Sequence, residues 1–217
     1  MKNVYYSPEN INTKSSAFLD ELKTRKVFKS TEFDFENSAL IVLDMQEYFT
    51  NPNSHAFVPS SNAIIPNIKS LITIYKKNNC PVIYTKHTNN EENASQMKKW
   101  WKGILSPNTP ESEIVENLCG AGMCVIEKHQ YDAFFDTNLE TILKEKNIKQ
   151  VVITGVMTHL CCETTARSAF VRGFDVFFAI DGTATYYEDF HKASILNLSH
   201  GFVTPVLVGE LLEKVDG

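Results

Sequence analysis

No apolar run in this chain of 217 residues approaches the roughly 18 needed to cross a bilayer, so no membrane span and no membrane partner are expected. The opening MKNVYYSPENINTKSS lacks the apolar h-region of a secretory signal, and a cytoplasmic location is expected. Basic residues are in the minority: 21 Lys and Arg stand against 26 Asp and Glu, for a formal charge of -5. They are scattered, with no basic stripe, so nucleic acid has no electrostatic support as a partner. Internal repeats, low-complexity segments and linker-like stretches are also missing. Cysteine is sparse and irregular, with an odd total of five at 80, 119, 124, 161 and 162. Such spacing builds no disulfide framework, and in a reducing compartment these are buried residues or reactive thiols. A bond between Cys161 and Cys162 is not expected, because neighbouring Cα atoms lie about 3.8 Å apart, closer than the usual disulfide range of roughly 4.4–6.8 Å.

What is present is the composition of a soluble globular protein, 43% hydrophobic and 22% charged. Apolar runs alternate with segments of helical period. ALIVLDM (39–45), PVIYTKH (81–87), MCVIEK (123–128), KQVVITGV (149–156), FDVFFAID (174–181) and FVTPVLV near the end read as strands. Between them, residues 61–79, 137–147, 158–172 and 188–201 read as helices, and GELLEKV as a closing one. Thr137 and Glu140 form a capping-box pattern, and Gly173 is a helix stop. About six strand–helix alternations predict an α/β fold, a three-layer α/β/α sandwich around a six-stranded parallel sheet. Residues 1–37 stand outside the alternation and read as an N-terminal arm, packed on the domain of residues 38–217 or on a neighbouring subunit. No GxGxxG or GxxxxGK[ST] follows the first strand, which argues against a nucleotide-binding module.

Ligands of open parallel sheets sit beyond the carboxyl ends of the strands. Asp44, His87, Lys128, the Cys161–Cys162 pair and Asp181 fall there. The two cysteines separate by helical geometry. Cys162, Ala166, Ala169, Phe170 and Gly173 follow the spacing of a buried stripe. Cys161 lies about 100° away, in line with the polar Thr165, Ser168 and Arg172. Cys162 therefore has a packing explanation and Cys161 does not. A helix start favours an anion, so the Cys161 thiol is expected to have a lowered pKa. Asp44 could accept its proton, and Lys128 could steady the charge. His159 is two residues from Cys161 and would not face it, so it reads as structural.

The blocks LIVLDMQEYF, VIEKHQYDAFFDTNLETIL and VVITGVMTHLCCETTARSAFVRGFDVFFAIDGTAT resemble the isochorismatase-like cysteine hydrolase superfamily over about residues 38–210. The resemblance implies Asp44 as general base, Lys128 as its catalytic lysine and Cys161 as nucleophile. It implies a cis peptide between Val156 and Met157, with the N–H groups of Met157 and Cys161 forming an oxyanion hole. It also implies an oligomer. Members that cleave isochorismate carry glycine where Cys161 stands, so cysteine there points to covalent hydrolysis of a small amide. Nicotinamidase members hold a metal with an aspartate and two close histidines after the second strand; this chain has only His87 there. No metal and no cofactor are expected, and the partner is a small-molecule substrate. Gln46, Phe49, His87, Trp100, Tyr131 and Phe134 are the expected substrate-binding residues, with Trp101 beside them, and Phe135 is read as core. The competing readings are a vinyl-ether hydrolase with Cys161 a bystander, and a catalytically idle scaffold.

Overall fold

A computed structural model of the chain describes residues 2–26, 28, 30–101 and 103–216. Its sheet contains β1 (Ser38–Leu43), β2 (Val82–His87), β3 (Cys124–Lys128), β4 (Gln150–Val156), β5 (Asp175–Ala184) and β6 (Thr204–Val206). The strands are all parallel and ordered β3-β2-β1-β4-β5-β6. This is the expected six-stranded α/β fold. The order reverses direction beside β1 and β4, and there the loops diverge and leave a crevice.

Parallel strands are covered on both faces, which is why they read as continuous apolar runs. All six residues of β1 are buried. Leu40 and Val42 enter one core, with α3 (Ser61–Lys77) and α8 (Val208–Asp216). Ala39, Ile41 and Leu43 enter the other, with α5 (Leu139–Glu145), α6 (Glu163–Val171) and α7 (Glu188–Gly201). The period-two alternation of a strand is thus split between two layers of helices.

Of the arm, α1 (Ile11–Arg25) lays Phe18, Leu19 and Leu22 on the second core, whereas Tyr5 and Tyr6 enter the first. Two short helices flank the crevice, α2 (Glu47–Thr50) and α4 (Ser95–Trp101).

Several local expectations need correction. The capping box at Thr137 does not form. The Thr137 hydroxyl donates to Ala133 O at 2.6 Å, and Glu140 pairs with Lys144 and Arg172 instead. Phe170 does not belong to the buried stripe. It is 47% exposed and meets Phe202 edge-on, while Cys162, Ala166 and Ala169 are fully buried. The fifth strand does not end at Asp181 but runs on to Ala184, past an irregularity opposite Ile153–Gly155. The helix at the cysteines begins as a π-helical turn, Thr158–Cys162, before α6.

Candidate active site

Asp44 follows β1 directly. Its backbone is left-handed, with φ 50, a region Asp enters more readily than most residues. Thr85 on β2 accepts the Asp44 N–H at 3.1 Å and donates to Asp44 Oδ1 at 2.6 Å. On the other side, β4 closes tightly on β1. Gly155 has φ +108, and a Cβ there would lie 2.0 Å from Leu43 O, so only glycine allows this approach beside Asp44. The Val156–Met157 peptide is cis. The π-helical turn follows at once, with the Leu160 and Cys162 N–H groups donating to Met157 O at 3.0 and 3.2 Å.

Lys128 ends β3 and lies fully buried. Its Nζ is 2.8 Å from Asp44 Oδ2, donates to Gln130 O at 2.9 Å and lies 3.4 Å from Cys161 Sγ. Three side chains that are far apart in sequence thus share one buried point. Burial alone would raise the Asp44 carboxyl, but the Lys128 ammonium beside it holds it below the ordinary range. Burial would lower the Lys128 pKa, yet the Asp44 carboxylate and Cys161 keep it raised. The resting pair is therefore carboxylate and ammonium.

Cys161 departs from expectation. Its thiol is pushed up to about 12, first by burial and then by the Asp44 carboxylate, against the pull of Lys128. The lowered value expected of a helix start does not hold, because desolvation outweighs the partial charge of one helical turn. Sulfur rests as a neutral thiol next to a base. Cys162 is also fully buried, in the second core with Ala166 and Ala169.

Cys161 lines a cavity of ≈ 70 Å³ with Phe49, His87, Tyr131, Trp101 and Met157 among its walls. Trp101 Nε1 donates to Tyr131 Oη at 2.8 Å, tying α4 to the loop after β3. Burial lowers the His87 pKa to about 4, so its imidazole is neutral near pH 7. Among the described residues lining this cavity, none is Lys, Arg, Asp or Glu.

Other expected site residues stand elsewhere. Trp100 is 77% exposed and Trp101 takes the wall, since adjacent helical residues point about 100° apart. Phe134 lies in the second core, stacked on Phe174. Phe135, read as core, is 53% exposed. Gln46 is a strut: its side chain accepts His87 N–H at 2.8 Å and donates to His87 O and Ser112 O. Asp181 accepts the Val208 N–H at 2.9 Å and so holds the start of α8, not a ligand. His159 pairs its Nδ1 with Thr185 Oγ1 at 2.6 Å and stacks on Phe190.

The sequence reading missed Thr85, Tyr48, His55, Asn89 and Tyr186. Tyr186 was within reach of the strand-end rule, had β5 been followed to Ala184. Thr85 is one of many buried strand threonines, and nothing in its spacing marks it. The residues also do not suit a resident metal. After β2 they are His87, Thr88 and Asn89, and no group of three His, Cys, Asp or Glu side chains could hold an ion among the described residues.

A family profile described as the isochorismatase domain matches residues 38–210. The chain is 36% identical over 170 residues to nicotinamidase 3 of Arabidopsis thaliana, a match covering 76% of this chain and 82% of that protein. It is 33% identical over 184 residues to enterobactin synthase component B of Escherichia coli strain K12, covering 83% of this chain and 64% of that longer protein. A cysteine hydrolase from Pseudomonas syringae pv. phaseolicola 1448A superposes with a TM-score of 0.83 at 23% identity. That match covers 87% of this chain and 97% of the other, and is a likeness of fold. Profile, relatives and sheet topology agree, and the chain belongs to the isochorismatase-like hydrolase superfamily.

Proposed function

We propose that this hydrolase cleaves a small amide C–N bond through a covalent thioester on Cys161, with Asp44 and Lys128 completing the triad. The observation that carries this reading is the meeting of Lys128 Nζ with both Asp44 Oδ2 and Cys161 Sγ, the sulfur belonging to a residue that lines a cavity. Its likeness to a nicotinamidase, an amidase by name, supports the same class of reaction.

The steps follow from the charges. Asp44 takes the thiol proton as Sγ attacks the carbonyl carbon. Because the neutral thiol is strongly favoured, the proton leaves only as the C–S bond forms. The carbonyl π electrons move to oxygen, where the N–H groups of Met157 and Cys161 would hold the oxyanion. Collapse breaks the C–N bond, and protonated Asp44 gives its proton to the departing nitrogen. Water then loses a proton to Asp44 and attacks the thioester. The C–S bond breaks, the carboxylic acid leaves and Asp44 returns the proton to sulfur. Lys128 keeps Asp44 ionised before each proton uptake and lies against the sulfur when it carries charge.

The described walls are uncharged and largely apolar, which favours a neutral substrate. Ammonia release from a panel of small amides, ureas and carbamoyl compounds tests the reading. Turnover of at least one neutral member, lost in Cys161→Ala, is expected; turnover unaffected by that substitution would overturn it.

A further inference from the structure

The segment matched by the isochorismatase profile begins at residue 38, yet two adjacent residues of the arm reach the nucleophile turn. Tyr6 Oη lies 3.2 Å from His191 Nε2 on α7, and His191 Nδ1 lies 3.0 Å from Thr158 Oγ1. Tyr5 Oη accepts the Thr185 N–H at 2.9 Å, and Thr185 Oγ1 pairs with His159 Nδ1 at 2.6 Å. Neighbours in the arm thus hold neighbours at the start of the turn that carries Cys161. Between them, Tyr5, Tyr6, Thr158, Thr185 and His191 are each at least 97% buried.

The chains are well matched to fixed geometry. Burial lowers His191 to about 3, so the imidazole is neutral, with a hydroxyl partner at each ring nitrogen. Ser15 of α1 reaches Tyr6 Oη at 3.1 Å. Ser60, before α3, accepts both the Tyr5 and Tyr6 N–H groups at 3.0 Å, which fixes the arm's own backbone. The same arm braces the cavity. Lys2 Nζ donates to His55 O at 2.6 Å and sits 4.0 Å above the Tyr186 ring, and His55 and Tyr186 both line the cavity.

We infer that residues 2–6 are a positioning strap of the active centre, with Tyr5 and Tyr6 fixing the Thr158–Cys162 turn through Thr185 and His191. None of these groups touches the reacting atoms. They hold the sulfur where Asp44 and Lys128 meet it, a placement in which an error of about 1 Å can cost on the order of a hundredfold in rate. The inference rests on Cys161 being the nucleophile, and the experiment separates the two ideas because it needs no substrate.

The readout is alkylation by iodoacetamide at pH 8, followed by peptide mass mapping of Cys161 and Cys162 in the full chain. In the wild type both thiols are buried and raised, and both react slowly. Tyr6→Phe keeps the apolar ring and removes the hydroxyl. Loosening the turn exposes more of Cys161 and moves its sulfur away from the Asp44 carboxylate, so its alkylation accelerates about tenfold or more. Cys162, packed in the second core, stays unlabelled. Thr158→Val behaves in the same way, and Thr158→Ser, which keeps the hydroxyl, restores slow labelling. Wild-type labelling of Cys161 in Tyr6→Phe and Thr158→Val, or labelling of both cysteines together as in global opening, overturns the inference. If Tyr6→Phe does not fold, Tyr5→Phe is read by the same measure. Loss of turnover in Cys161→Ala decides the identity of the nucleophile independently.

Discussion

Lys128 Nζ stands 2.8 Å from Asp44 Oδ2, although the strands that carry them, β3 and β1, are separated by β2. Two inter-strand spacings make roughly 9.6 Å. The gap is closed by the length of the lysine side chain and by its position at the strand end, opposite His87 in register. The ion pair is fully buried, so neither charge is solvated by bulk water.

Replacing one partner therefore leaves an unpaired buried charge. Lys128→Met is expected to abolish turnover and to destabilise the fold by about 3–5 kcal/mol at neutral pH, read from urea denaturation. Asp44 has a depressed pKa in the folded state. Its contribution is present above the ordinary carboxylate value and is lost as pH falls through the folded value. The deficit of Lys128→Met should accordingly narrow in acid.

The two cysteines should separate cleanly. Cys161→Ala is expected to eliminate amide turnover, and Cys162→Ser to retain most of it, since Cys162 only packs. Ammonia release measures both. If turnover survives in Cys161→Ala and is lost in Cys162→Ser, the assignment is reversed.

Asp181 makes a different pH prediction. Burial raises its carboxyl to about 6, against the Val208 N–H that favours the charged form. A raised folded pKa stabilises below the ordinary carboxylate value, and the benefit is lost as pH climbs through about 6. The full change is on the order of 3 kcal/mol. Asp181→Asn should flatten thermal stability between about pH 4 and 6 and gain on the wild type above that window. A wild-type pH slope in the variant would contradict this.

The adjacent tryptophans should behave oppositely. Trp101→Phe loses the 2.8 Å bond to Tyr131 in the cavity wall and is expected to raise KM about threefold to tenfold, the worth of one hydrogen bond. Trp100→Ala, at a position 77% exposed, should leave both kcat and KM at wild-type values. Steady-state kinetics on any amide that is turned over will distinguish them.

Much of this protein was legible in its sequence, because strands covered on both faces must be apolar throughout and helices packed on them must carry a periodic stripe. Those two constraints predict the parallel sheet, and the strand-end rule leads to Asp44, Lys128 and the cysteine pair. Helical spacing alone placed Cys162 in packing. What only the tertiary structure decided depends on distances between residues remote in the chain. Thr85 reaches Asp44 from the neighbouring strand, Trp101 takes the cavity wall in place of Trp100, and Phe134 turns into the core. The ionisation of Cys161 was beyond the sequence for the same reason. A helix start is a local feature, but the desolvation and the neighbouring carboxylate that hold the thiol neutral come from strands and loops brought together only by folding.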